Sequence, residues 1–312
     1  MTFAFGPVPS RRLGRSLGIN NIPPKTCTYA CIYCQVGRTS DMRIQRKEFY
    51  DPDVLVRSVS AKVKDLTKKG EIIDYITFVP DGEPTLDIHL GKEIEMLRAL
   101  EIPIAIITNA SLLWKSDVQE EVKKADWISV KVDTVDDDLW HRINRPHRKL
   151  KLQEILHGIR TVRKEFQGQL VTETMLVKGL NEQENALSHT ADFLSEIKPD
   201  KCYISIPIRP PAEENVSIPD EESLLHAFDI FHGKLEKVEL LSGAEKDEFT
   251  TGEDPENDLL NITAVHPMRE EAVRLFLKRS NKDWSLIEKL LIKNKLVRIE
   301  YNNDIFYLRK IS

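Results

Sequence analysis

Nothing in the 312 residues is apolar for long enough to cross a bilayer: stretches such as Ile102 to Ile107 fall far short of the roughly 18 residues a span needs. Mean hydropathy is negative, which agrees. Cysteine is scarce, with four residues, and three of them sit within eight positions while Cys202 stands far away, a distribution that excludes a disulfide framework. There is no glycine-rich phosphate loop, no nucleophile elbow around a serine, no internal repeat and no low-complexity tract, and the eight histidines form no recognisable ligand pair. A secretory signal is also missing, because the apolar run Met1 to Pro9 precedes Arg11 and Arg12 and so reverses the usual charge order. A cytoplasmic location without membrane association is expected.

What is present is ordinary for a globular chain: 41% hydrophobic, 7% aromatic and 30% charged residues. A chain this long removes roughly three quarters of its unfolded surface from water, so a metal is not needed to create a core and would be there for chemistry. Period-two runs predict strands at Ser16 to Asn21, Ile72 to Val79, Ile102 to Ile107, Trp127 to Val132, Leu170 to Val177 and Cys202 to Ile206. Amphipathic helices alternate with them. Asp51-Pro52 starts one that carries Val59, Val63 and Leu66 and stops at Gly70; Leu152, Ile155, Ile159, Val162 and Phe166 stripe another; a further helix lies near Asp220 to His232. Six strand-helix units predict an α/β fold, a partial (β/α)6 TIM-like barrel over residues 1–243.

The segment 244–262 reads as an acidic linker: Glu245 to Asp258 holds seven acidic residues against one lysine. Beyond it, helices over Met268 to Lys278 and Asp283 to Asn294, followed by a hairpin turning at Asn302-Asn303, predict a winged-helix domain at 263–312. Residues 266 to 312 carry eleven Lys and Arg against six Asp and Glu, a net of +5 in a chain of net −5, which leaves −10 for the rest.

The chemistry-bearing motif is Cys27-Thr-Tyr-Ala-Cys31-Ile-Tyr-Cys34. Three thiolates can each hold one iron of a cubane cluster, leaving a fourth iron open to a small molecule, whereas a structural zinc site would need a fourth ligand and the nearest histidine in sequence is His89. This spacing, with the aromatic Tyr33 before the last cysteine, resembles the signature of the radical S-adenosylmethionine (SAM) superfamily. The run Phe5 to Asn20 resembles the branch that includes the wyosine-forming tRNA-modification enzymes, although only Cys202 remains where those enzymes have the cysteines of a second cluster. The resemblance implies a 4Fe-4S cluster on Cys27, Cys31 and Cys34, with SAM as second cofactor. It further implies that an electron from an external reductant of the flavodoxin or ferredoxin class cleaves SAM and yields a 5′-deoxyadenosyl radical.

Further site residues are expected where parallel strands end, since such barrels place chemistry at that edge. Asp81-Gly82-Glu83 is similar to the family's Gly-Gly-Glu segment, where Gly82 and Glu83 would meet the SAM ammonium. Thr108 and Asn109 follow the next strand; Ser129, Lys131 and Asp133 alternate onto one face of the one after, with Ser129 or Asp133 suited to ribose and Lys131 to the SAM carboxylate or to a structural ion pair. The segment from Val177 to Asn181 resembles the one that packs on adenine. Arg209 and Arg145 are substrate candidates, and Cys202 reads as a small buried apolar residue. The expected function is radical SAM modification of a macromolecule, RNA first and a peptide or protein second. A redox-sensing iron-sulfur protein with a DNA-binding winged helix is the alternative from another class.

Overall fold

The structure, a computed structural model, describes residues 3–241, 249 and 254–310. Strands β1 (Ala4–Ser10) and β2 (Gly14–Ile19) form an antiparallel hairpin, and two-residue strands β3 (Thr26–Cys27) and β4 (Asp41–Met42) pair at the base of the cysteine loop. Then α1 (Pro52–Lys68), β5 (Tyr75–Phe78), α2 (Leu90–Leu97), β6 (Ile104–Thr108), α3 (Ser116–Val122) and β7 (Trp127–Lys131) alternate. Helices α4 (Asp137–Asn144) and α5 (Leu152–Glu165) lead to β8 (Gln169–Met175), α6 (Glu184–Ile197), β9 (Lys201–Ser205), α7 (Glu221–His232) and β10 (Val238–Leu241).

The sheet order is β1-β2-β5-β6-β7-β8-β9-β10, parallel from β2 onward. Six strand-helix units are thus present, as expected, with two additions that short apolar segments did not signal: the antiparallel edge β1 and the last parallel strand β10. Local chemistry sets the boundaries. The Asp51 side chain caps α1 by accepting from the amides of Asp53 (2.8 Å) and Val54 (3.1 Å), its stripe Leu55, Val59, Val63 and Leu66 is buried, and Gly70 at φ 74° ends the run. The main core lies between these helices and the outer face of the sheet, and includes Val130 and Val132 of the β7 segment. On the inner face, Leu13, Ala105, Trp127, Val171, Tyr203 and Leu241 form a plug. Above the plug the inward side chains turn polar.

Past the barrel, α8 (Pro255–Val265) is followed by β11 (Met268–Arg269), α9 (Glu270–Arg279), α10 (Ser285–Ile292), β12 (Leu296–Tyr301) and β13 (Asp304–Arg309). The expected hairpin is there, with Asn302 and Asn303 both at positive φ, but the start of the first expected helix is instead β11, which pairs with β13. Of the expected linker, 244–248 and 250–253 lie outside the described residues, while 255–262 is helical. Asp254 caps α8, and Leu259, Leu260 and Ile262 bury against Phe276, Ile287 and Tyr307, an apolar gain that overrides the acidic composition. This unit rests on the barrel through Tyr301, whose hydroxyl donates to Pro207 O (2.7 Å), and through an ion pair of Lys62 with Asp258 (2.9 Å).

One buried group away from the inner face has a pH consequence. Glu93 of α2 is fully buried beside Asp87 and Glu121, and among the described residues neither of its carboxylate oxygens finds a donor. Burial first, then Asp87 and Glu121, push its pKa up to about 9. Between its ordinary value of 4.5 and about 9 the folded chain holds a proton that the unfolded chain has released, so stability falls as pH rises, by about 1.4 kcal/mol per pH unit. Glu93→Gln is expected to leave the melting temperature unchanged near pH 4.5 and to raise it increasingly towards pH 9 in a calorimetric pH series.

Candidate functional site

A cavity of about 290 Å³ opens at the C-terminal edge of the parallel strands. All three clustered cysteines line it, together with Tyr33, Gly82, Glu83, Thr108, Asn109, Lys131 and Arg209 among the residues expected from sequence. Ser129, Asp133, Val177, Asn181 and Arg145 are not in its lining.

The cysteine loop is placed by main-chain contacts. Thr26 bridges to Gly82, and Thr26 O accepts from the Glu83 amide at 3.2 Å. A Cβ on Gly82 would stand 1.8 Å from Thr26 O, so only glycine permits this approach. On the other side of the loop, the amides of Ala30 and Ile32 donate to Asn144 O and Ile143 O, at 3.1 and 2.9 Å. The loop is thus clamped between the end of β5 and the end of α4.

Glu83 is buried and fully engaged: one oxygen accepts from Thr85 N, Thr85 Oγ1 and Thr108 Oγ1, the other from Asn109 N at 2.7 Å. Burial raises its pKa and these donors oppose the rise. Its work in the fold is to lock the ends of β5 and β6 together. Asn109 accepts from Ser111 N, and its Nδ2 donates to Thr28 Oγ1 (2.8 Å) and faces Cys27 Sγ at 3.5 Å.

The alternation read on β7 brings an ion network into the barrel interior. Lys131 Nζ pairs with Glu173 of β8 at 2.8 Å, Ser205 of β9 donates to the same carboxylate, and Arg12 in the β1–β2 turn reaches across the sheet to its other oxygen and to Ser129 Oγ (3.3 Å). Burial would raise the Glu173 carboxyl, but Arg12 and Lys131 hold it well below the usual carboxylate range. For Glu173 the sequence holds a usable signal, an acid on the inward register of a β-strand between Val171 and Met175; for the Arg12 contact it holds none.

Asp133 is buried just outside the cavity. Its Oδ1 accepts from Met175 N (2.8 Å), and its Oδ2 accepts from Asn144 Nδ2 (2.7 Å) and the Tyr33 hydroxyl. Asn181 likewise stitches a turn, accepting from Val177 N and donating to Asp133 O (2.8 Å) and Met175 O (2.9 Å). Val177 packs with Ile32, Tyr33, Ile143 and Val216. Arg209 donates to Gln35 Oε1 (2.6 Å) and meets His266 Nε2 (3.0 Å), while Gln35 donates to Val265 O (3.2 Å), so α8 reaches the cavity rim beside Cys34. Arg145, at φ 44°, pairs with Glu213 (2.7 Å), which also holds Arg38 (3.0 Å).

Burial raises all three thiols, that of Cys31 to about 12, with Asp133 as the next cause there and Glu83 at Cys27. Among the described residues, no group of three His, Cys, Asp or Glu side chains could hold a single metal ion. A four-iron cluster asks for something else: one thiolate per iron, spread around its faces, with one iron left without a protein ligand. Three thiols opening on one cavity, with amide donors aimed at two of the sulfurs, fit that requirement.

Comparison with known proteins agrees with this geometry. A family model described as the radical SAM superfamily matches residues 21–191. A UPF0026 protein of Methanocaldococcus jannaschii is 49% identical over the whole chain and 97% of its own length. Among solved structures, TYW1 with a lysine-pyruvate adduct bound superposes with a TM-score of 0.55 at 16% identity, covering 71% of this chain and 74% of its own. SuiB of Streptococcus suis bound to S-adenosylmethionine gives 0.53 at 13%, covering 72% and 49%.

Proposed function

The chain belongs to the radical SAM superfamily, a family of enzymes that use a 4Fe-4S cluster and S-adenosylmethionine, and from that premise we propose that it modifies a macromolecule, RNA by preference. The observation that carries the catalytic part is the shared cavity of Cys27, Cys31 and Cys34 with Gly82, Asn109 and Lys131. Cys27, Cys31 and Cys34 are the residues that would hold the cluster. Held there, a 4Fe-4S cluster with SAM would supply one-electron chemistry: an electron from an external reductant would cleave SAM and give a 5′-deoxyadenosyl radical for hydrogen removal from substrate.

The chain's own residues fix geometry. Gly82 keeps the cysteine loop against the end of β5, and Glu83 holds that strand end to β6, leaving main-chain groups near Gly82 for the SAM ammonium. Lys131 is the cation for the SAM carboxylate, and Thr108 and Asn109 line the same cavity. Asp133 and Asn181, with their polar atoms already engaged by protein partners, brace the structure behind the lining instead of reaching into the cavity. The inner plug closes the bottom of the barrel, so substrate enters from the rim that α8 borders.

The preference for RNA rests on the resemblance of the segment Phe5 to Asn20 and on the positive C-terminal unit, read as a winged helix. Part of that charge is used locally, since Arg274 pairs with Glu270 and stacks on Trp284, and Lys289 and Lys295 share Glu256. Lys278, Lys282 and Lys293 remain exposed on the same unit. With dithionite and no substrate, the reconstituted chain is expected to release 5′-deoxyadenosine slowly from SAM. Binding of tRNA, measured as filter retention at several salt concentrations, is expected to weaken steeply as salt rises, because each phosphate contact releases counterions. Binding that ignores salt would put a peptide ahead of RNA.

A further inference from the structure

Asn144 is the last residue of α4, and its side chain lies over the cysteine loop. Its Nδ2 is 2.7 Å from Asp133 Oδ2, 3.4 Å from Cys31 Sγ and 3.3 Å from the Tyr33 hydroxyl oxygen. An amide nitrogen carries two hydrogens. The short contact to Asp133 uses one, and the other faces the sulfur and the hydroxyl. Asp133 is itself held by the Met175 amide on Oδ1 and by Tyr33 on Oδ2, so the carboxylate that orients the amide is fixed on both sides.

We infer that Asn144, oriented by Asp133, is a positioning residue that hydrogen-bonds the Cys31 thiolate and raises the reduction potential of the cluster; the inference rests on the reading of the three cysteines as its ligands. Reduction adds negative charge, part of which resides on the thiolate sulfurs. An N–H dipole aimed at one of them therefore stabilises the reduced form more than the oxidised form, and hydrogen bonds to sulfur are among the factors that set such potentials. The clamp on the cysteine loop does not depend on the amide, since the main-chain carbonyl of Asn144 accepts from Ala30 N whatever the side chain. At Cys27 the Asn109 amide occupies the equivalent place, at 3.5 Å.

The test is an electron-paramagnetic-resonance redox titration of the full chain, reconstituted anaerobically, as wild type and as Asn144→Leu. The variant is expected to keep the wild-type iron and sulfide content. Its ratio of reduced to oxidised cluster at a fixed potential is expected to drop about tenfold, or about 59 mV for one electron. An independent measurement needs no variant: with asparagine labelled by 15N in the side-chain amide, pulsed resonance of the reduced wild-type cluster is expected to show two weak 15N couplings, from Asn109 and Asn144. Asn144→Leu with full iron and an unchanged potential would overturn the inference. So would a spectrum with no 15N coupling, which decides the matter if the variant loses its iron. A wild-type chain that takes up no cluster brings down the reading of the cysteines, and this inference with it.

Discussion

Cys31→Ala, reconstituted under anaerobic conditions, is expected to retain no intact 4Fe-4S cluster and to release no 5′-deoxyadenosine from SAM; Cys27→Ala and Cys34→Ala are expected to match it. On the proposed assignment each thiolate would be the protein ligand of one iron, and the buried acids Glu83 and Asp133 are engaged elsewhere, Glu83 by Thr85, Thr108 and Asn109, Asp133 by Tyr33, Asn144 and Met175. Asp81 also lines the cavity and has one oxygen with no hydrogen-bond partner among the described residues, but a hard carboxylate is a poor replacement for a thiolate on a cluster iron. Cys202→Ala provides the contrast. That sulfur is buried in the helix-side core at 3.0 Å from Thr172 Oγ1, away from the cavity, and its truncation is expected to cost about 1 kcal/mol with cluster content unchanged. Iron and sulfide analysis with the visible spectrum reads both outcomes, and a full cluster in Cys31→Ala would sink the assignment.

Glu173→Ala is expected to destabilise the chain by about 3–5 kcal/mol in urea melts at pH 7, because it removes the one carboxylate that pairs both Arg12 and Lys131 inside the barrel. The loss also frees Lys131 from its place on the cavity wall, so weaker SAM binding by equilibrium dialysis is expected alongside. The sign of the pH effect follows from the depressed carboxyl. The folded chain holds Glu173 ionised where the unfolded chain would begin to protonate it, so its contribution is present above the ordinary value of 4.5 and is lost as pH falls through the lower folded value. The wild type and Glu173→Ala are therefore expected to converge in stability on acidification. Equal stability of the two at pH 7 would mean that the network carries no weight.

The chemistry of the site was legible in the chain because a cluster-binding loop is local: three thiols at fixed spacing describe a donor set before any fold exists. The succession of strands along the chain and the inward register of Lys131 were legible for a related reason, since a period of two leaves a direct mark on which residues are apolar. Helix α1 likewise advertised its start with Asp51-Pro52 and its stop with Gly70. The segment 255–262 has the composition of a connector, because acidic residues dominate it, yet it is a helix, because burial of Leu259, Leu260 and Ile262 depends on partners some fifteen to fifty residues later.

Pairings between distant strands left no such mark. That Arg12 meets Glu173, that Asp133 is engaged by Tyr33 and Asn144 instead of facing the cavity, and that Asn144 turns its amide to Cys31 are consequences of sheet curvature and of the path of α4. Short-range pattern determined the cofactor chemistry, the alternating elements and the face each strand turns inward. The tertiary structure alone decided which buried charges neutralise one another and which donors stand at the sulfurs, because those contacts join residues up to 196 positions apart and a one-dimensional pattern holds no term for their distance.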